Sequence, residues 1–119
     1  MAPNVEVPQQ EASFSFEGPE KKLEVCFTPN AARPMGLRSF SKAEWQHMLT
    51  FAECTIVGYV HNQFCDSYLL SESSLFVYPY KIIVKTCGGT KLLNTIPVLI
   101  EYAQKISSGI SSLMFCRKN

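Results

Sequence analysis

A glutamate and two serines, Glu72-Ser73-Ser74, stand between Leu70-Ser71 and the apolar run Leu75-Phe76-Val77. A serine hydroxyl lies next to the carbonyl that precedes it, so Ser73 Oγ can attack the Glu72 carbonyl and turn the amide into an ester. Elimination across the serine Cα–Cβ bond then cuts the chain and leaves a dehydroalanine. Hydrolysis of that group gives a ketone, a pyruvoyl group, which is an electrophilic cofactor made from the backbone itself. Ser71-Glu72-Ser73-Ser74 also suits a solvated polar turn, so its neighbours must decide between the two readings.

Cys87 is the second residue with chemistry in its setting. It follows the apolar run Ile82-Ile83-Val84 and precedes Gly88-Gly89, after which the sequence reads as a helix. A thiol just before a helix N-terminus is drawn toward neutrality by the dipole and can give up and recover a proton within one turnover. A buried small hydrophobe is the plain alternative. A zinc site can be drawn from His47, Cys54, His61 and Cys65, but their spacing matches no common structural zinc motif, and no metal is expected.

The elements that position these residues can be read from periodicity. Lys22 to Phe27 alternates, with Leu23, Val25 and Phe27 on one face and Glu24 and Cys26 on the other, as a strand does. Thr28 to Arg38, with its prolines, glycine and asparagine, reads as a loop. Ser41-Lys42-Ala43-Glu44 is a capping box, and the helix it opens carries Trp45, Met48, Leu49 and Ala52 toward a core. Cys54 to Val60, Cys65 to Ser71, Leu75 to Val77 and Ile82 to Lys85 read as strands, the last two joined by a hairpin at Tyr78-Pro79-Tyr80-Lys81. A long helix is predicted after Gly88-Gly89, apolar at Leu92, Leu93, Ile96, Leu99, Ile100 and Ala103 and kinked by Pro97. Ile110 to Cys116 reads as a last strand. The order β-α-β-β-β-β-α-β predicts an α+β fold, a largely antiparallel sheet with helices on one face.

Composition bounds what such a domain can do. The chain has 119 residues, 46% hydrophobic and 18% charged, which suits one globular domain. Its net charge of +1 offers no footprint for nucleic acid, and its apolar runs are too short to predict a membrane partner. Residues 1–13 read as a loose tail with no apolar signal segment. Five cysteines at irregular spacing, with no CxxC pair, read as free thiols of a cytoplasmic protein.

Three motifs occur in order: Phe16-Glu17-Gly18-x-Glu20-Lys21, Leu70-Ser71-Glu72-Ser73-Ser74, and Lys85-Thr86-Cys87-Gly88. Together they resemble the leading part of eukaryotic S-adenosylmethionine decarboxylase. The wording from Ser74 through Tyr78-Pro79-Tyr80 to Gly88 resembles plant-type members most, and the likeness runs from about Phe14 to Asn119.

The resemblance implies a role for each matching residue. Ser73 would be the cleaved serine, the precursor of the pyruvoyl that forms a Schiff base with the substrate's amino group, and Glu72 would end the first subunit and border the substrate. Cys87 would be the proton donor after carbon dioxide departs. Phe16 would stack on the adenine, and the backbone of Leu70 would border it. Glu17 and Glu20 would be acidic residues of the active site, suited to a sulfonium cation; on composition alone they read as solvated surface charges. Glu24 and Lys85 match a charged region that binds putrescine in animal-type members, and Lys22 matches a basic position of plant-type members. Together these three form a candidate regulatory charge site, or simply the wet face of a sheet.

The resemblance also implies part of an αββα sandwich over residues 14–119, with S-adenosylmethionine as substrate, in spermidine and spermine synthesis. The family's processing serine and histidine, its second adenine-stacking aromatic and its ribose-binding carboxylate come from later sequence. This chain is therefore expected to be an amino-terminal portion, inactive and mostly unprocessed alone, whose partner is the family's downstream half or a complete enzyme subunit. A non-catalytic relative that docks on and modulates a complete enzyme is the alternative. Retention of Glu72, Ser73 and Cys87 together favours the enzyme.

Overall fold

A computed structural model describes residues 20–71, 73–87 and 91–118, with only the backbone of Cys87 and Lys118. Phe16, Glu17, Glu72, Gly88-Gly89 and the 1–13 tail lie outside the described residues. Six strands among the described residues form one antiparallel sheet: β1 (Glu20–Phe27), β2 (Ile56–His61), β3 (Asp66–Leu70), β4 (Ser74–Tyr78), β5 (Lys81–Cys87) and β6 (Ile110–Lys118). Two helices, α1 (Lys42–Thr50) and α2 (Ile96–Lys105), complete the α+β fold. The spatial order is β2-β3-β4-β5-β1-β6. Strands β2 to β5 are sequential neighbours, whereas β1 lies between two strands that come much later in the chain.

Alternation in β1 sorts the two faces of the sheet. Lys21, Leu23, Val25 and Phe27 are buried, while Glu20, Lys22, Glu24 and Cys26 are half-buried. The pairings Leu23–Val84, Val84–Leu75 and Leu75–Tyr68 carry the buried row across to β3. Leu23, Val25, Leu75, Val77, Ile82 and Val84 share one hydrophobic cluster with Trp45, Met48 and Leu49 of α1 and Leu99 of α2, all fully excluded from solvent. Each such aliphatic side chain contributes about 1.5–3 kcal/mol by leaving water. Both helices therefore cover the same face, as the periodicity predicts.

The capping box is formed. Ser41 Oγ accepts from the Glu44 N–H at 3.2 Å, and Glu44 Oε1 accepts from the Ser41 N–H at 2.8 Å. The predicted hairpin is present too, with Tyr78 paired to Lys81 across Pro79-Tyr80.

Pro97 departs from the sequence reading. Residues Lys91–Thr95 form a 3-10 turn, and Pro97 lies in the first turn of α2, where its missing N–H leaves no bond unmade, so no mid-helix kink arises. α2 then ends through Ser107, at φ 54, with the Ser108 N–H donating to the Ala103 carbonyl at 2.8 Å. That is a left-handed helix stop made by a serine rather than by the nearby Gly109.

The end of the sheet formed by the β4–β5 turn is tightly strapped. Gly36 has φ +49, and a Cβ there would lie 2.1 Å from the Pro79 carbonyl oxygen, so only glycine fits. The Leu37 N–H donates to that carbonyl at 2.7 Å, and the Tyr80 hydroxyl donates to Asn30 O at 3.0 Å. Arg38 pairs with Asp66 at 3.1 Å and donates to the carbonyls of Asn62 and Gln63 at 2.6 and 2.9 Å. The hydrogen bond to Asp66 holds the Arg38 guanidinium above its ordinary pKa.

Candidate active site

The opposite end of the sheet gathers the sequence-predicted residues. The last β3–β4 pair is Leu69–Ser74, and the Leu70 N–H donates to the Ser73 carbonyl at 2.8 Å. Only Ser71 and Glu72 therefore lie between hydrogen-bonded residues of the hairpin. Ser73 is half-buried, and Leu70 is buried with its amide committed to the hairpin. Across β4, Ser74 pairs with Lys85, and Lys85 pairs with Lys22. Two residues further along β5, Cys87 pairs with Glu20. The start of β4, the end of β5 and the start of β1 thus bring Ser73, Cys87 and Glu20 to one end of the sheet.

One row of the face away from the helices runs Leu69, Ser74, Lys85, Lys22 and Cys116 through successive pairings. Glu24 stands one step further along β1, with its carboxylate 3.9 Å from Lys22 Nζ. Lys85 is only 8% exposed, so the three residues of the candidate charge site share a face and a neighbourhood. The next row of the same face runs Val60, Ser67, Phe76, Ile83, Glu24 and Met114, so charged and apolar side chains share it, with Val60 and Met114 exposed.

The helix expected directly after Gly88-Gly89 begins later than the sequence suggests. Cys87 ends a strand, the next described element is the 3-10 turn Lys91–Thr95, and α-helical backbone begins only at Ile96. A dipole acts within the first turn of a helix, so the expected adjacency in sequence between Cys87 and a helix N-terminus is not met.

Two further residues stand out in the structure, and periodicity marks the first of them. Lys21 is 3% exposed, on the helix-covered face opposite Thr86. Extending the Leu23, Val25, Phe27 alternation one step back identifies it. Gln46 bridges α1 to the segment before β2: its Nε2 donates to Cys54 O at 3.1 Å, and its Oε1 accepts from the Ile56 N–H at 2.8 Å. No local pattern marks that contact. Among the described residues, no three His, Cys, Asp or Glu side chains stand close enough to hold a metal, and Cys26, Cys54, Cys65 and Cys116 form no disulfide. No helix among the described residues is long and apolar enough to cross a membrane.

Similarity to known proteins agrees with the motifs. A model of the adenosylmethionine decarboxylase family matches residues 13–119. The chain is 52% identical over 110 residues to S-adenosylmethionine decarboxylase proenzyme 3 of Arabidopsis thaliana, covering 89% of this chain and 32% of that protein. It is 48% identical over 110 residues to the S-adenosylmethionine decarboxylase proenzyme of Catharanthus roseus, covering 89% and 31%. It is also 48% identical over 113 residues to that of Solanum tuberosum, again covering 89% and 31%. The chain spans about a third of the length of the curated relatives it matches. By its match across nearly its whole length, this chain belongs to the adenosylmethionine decarboxylase family.

Proposed function

We propose that these residues carry the self-cleaving part of a pyruvoyl-dependent decarboxylase acting on S-adenosylmethionine, cut between Glu72 and Ser73. The observation that carries the reading is the meeting of Ser73, Cys87 and Glu20 at one end of the sheet, in a chain whose relatives are named proenzymes.

Ser73 Oγ attacks the Glu72 carbonyl carbon. The O–C bond forms, the C–N bond breaks, and the hydroxyl proton is lost while the serine nitrogen gains one. Elimination removes a proton from the Ser73 Cα and releases Glu72 as a carboxylate, and water then replaces the nitrogen, which leaves as ammonia. The residues fit the product. The Ser73 carbonyl is held by the Leu70 N–H, and Ser74 is paired on both sides, to Leu69 and to Lys85. The new end of the chain therefore stays anchored when the bond before it breaks. A pyruvoyl group there supplies an electron-accepting carbonyl to the substrate.

In this reading Cys87 returns a proton to the substrate carbon that has lost its carboxylate, and Glu20 and Glu17 set the charge around the sulfonium. Phe16 stacks on the adenine, with Leu70 and Glu72 bordering the substrate. Lys22, Glu24 and Lys85 form a regulatory charge site, and the protein acts in the cytoplasm. An oxyanion developing at Glu72 needs donors in a water-poor pocket. The rest of the length seen in the relatives is proposed to supply them, so the 119 residues alone are expected to be inactive.

The test is release of labelled carbon dioxide from carboxyl-labelled S-adenosylmethionine. This chain joined to the carboxy-terminal two-thirds of the Arabidopsis relative should release it, and the 119 residues alone should not. Substantial release by the short chain would refute the need for the remainder, and none from the joined chain would refute the activity.

A further inference from the structure

We infer that Gln46 is a positioning residue for cleavage at Glu72–Ser73, acting through the Thr55 backbone and Ser71, a role that rests on the self-cleavage reading above. Gln46 stands on α1 between Trp45, which is fully buried, and His47, so its own backbone is fixed by the core. Its amide grips the chain on both sides of Thr55, through Cys54 O at 3.1 Å and the Ile56 N–H at 2.8 Å. Thr55 is in turn joined twice to Ser71. The Ser71 N–H donates to Thr55 O at 2.8 Å, and the Thr55 N–H donates to Ser71 Oγ at 3.2 Å. On the other side, the Leu70 N–H holds the Ser73 carbonyl at 2.8 Å. The residues before and after Glu72 are thus each tied down, one to the helix layer and one to the sheet.

The acyl shift needs this kind of restraint. Ser73 Oγ must lie over the Glu72 carbonyl carbon, in line to form one bond as the C–N bond breaks, and the step consumes no oxidant or reductant. Free rotation on either side of Glu72 would spread the connection over many unreactive geometries, and fixing it in advance removes that entropic barrier. Ser71 and Thr55 are exposed, so their mutual hydrogen bonds compete with water. Gln46 is half-buried and supplies the rigid end of the tether. Gln46 has no group that titrates in the working range, so its contribution is positional and not that of a base.

The experiment follows cleavage by denaturing gel and intact mass in this chain joined to the carboxy-terminal two-thirds of the Arabidopsis relative. Rates are taken well below each variant's melting temperature. Gln46→Leu removes both amide contacts at similar size and should slow cleavage about tenfold, and Ser71→Ala about fivefold, as expected for one or two neutral hydrogen bonds. Gln46→Glu keeps the acceptor for the Ile56 N–H and should fall between wild type and Gln46→Leu. Ser71→Thr keeps the hydroxyl and should restore the wild-type rate. Thr55→Ala keeps the backbone contacts and should cleave normally. Wild-type rates in Gln46→Leu and Ser71→Ala would overturn the positioning role and leave self-cleavage standing. Slowing by Thr55→Ala equal to that of Ser71→Ala, with no rescue by Ser71→Thr, would also overturn it, because it would mark general loosening. No cleavage in the unsubstituted joined chain would instead refute the self-cleavage reading itself.

Discussion

The two ends of the sheet are built on different principles. At the Pro79 end, Gly36 lies under a carbonyl, Tyr80 reaches the Asn30 carbonyl, and Arg38 ties Asp66 to two backbone carbonyls. Side chains lock that end. At the Ser73 end the described contacts are mostly backbone hydrogen bonds: Leu70 to Ser73, Ser71 to Thr55, and the pairings of Ser74 and Cys87. On the proposed reading, this end breaks one of its own bonds and then admits a substrate, which interlocking side chains would hinder. The difference teaches that side chains dominate the locking of the Pro79 end, whereas the Ser73 end is aimed by backbone hydrogen bonds with Gln46 and Ser71 Oγ as side-chain ties.

That contrast can be broken by substitution. Cys87→Ala in the joined chain should still cleave but should decarboxylate at least about a hundredfold more slowly, the scale of a lost positioned proton donor. Its melting temperature should barely move. Wild-type turnover would show that Cys87 is only packed. Gly36→Ala should have the opposite signature. Its Cβ would fall 2.1 Å from Pro79 O at a positive φ, so stability should drop by about 3 kcal/mol, from overpacking together with left-handed strain. Denaturant unfolding measures the loss, and a change below about 1 kcal/mol would mean that the Pro79 end is softer than its contacts indicate.

How much of this was legible in the sequence follows from the range of the signals. The Ser41–Glu44 capping box, the alternation of β1 and the Tyr78–Lys81 hairpin are written within a few residues of themselves, and all three are present. The insertion of β1 between β5 and β6 is set by pairings across most of the chain, which no local period encodes. Arg38 and Asp66 are 28 residues apart, and each alone reads as a surface charge. Pro97 was misread because its helix starts later than the apolar pattern does. At the site, family likeness singled out Ser73, Cys87 and Glu20. Their convergence depends on the register of β1, β4 and β5, which is long-range information. Gln46 was missed because a glutamine on a helix surface carries no signal until its partner is known.

A smaller effect should sharpen the comparison under alkaline conditions. Burial pushes Tyr68 and Tyr102 up to about 12 from the ordinary 10, and the Tyr102 hydroxyl donates to the Glu44 carbonyl at 2.6 Å. The unfolded chain gives up these protons first, so between pH 10 and 12 the folded state binds more protons and stability falls as pH rises. Below pH 10 both groups are protonated in either state and the dependence vanishes. Tyrosinate absorbance should therefore show these two tyrosines titrating late and together with loss of the fold. Titration of every tyrosine near 10 with the fold intact would contradict that packing.

The most direct test is the intact mass of the joined chain after purification. The account predicts two fragments parted between Glu72 and Ser73, the second carrying a carbonyl that reacts with hydrazines, and one uncut, unreactive chain for Ser73→Ala. A single uncut wild-type chain, or cleavage that persists in Ser73→Ala, would contradict it.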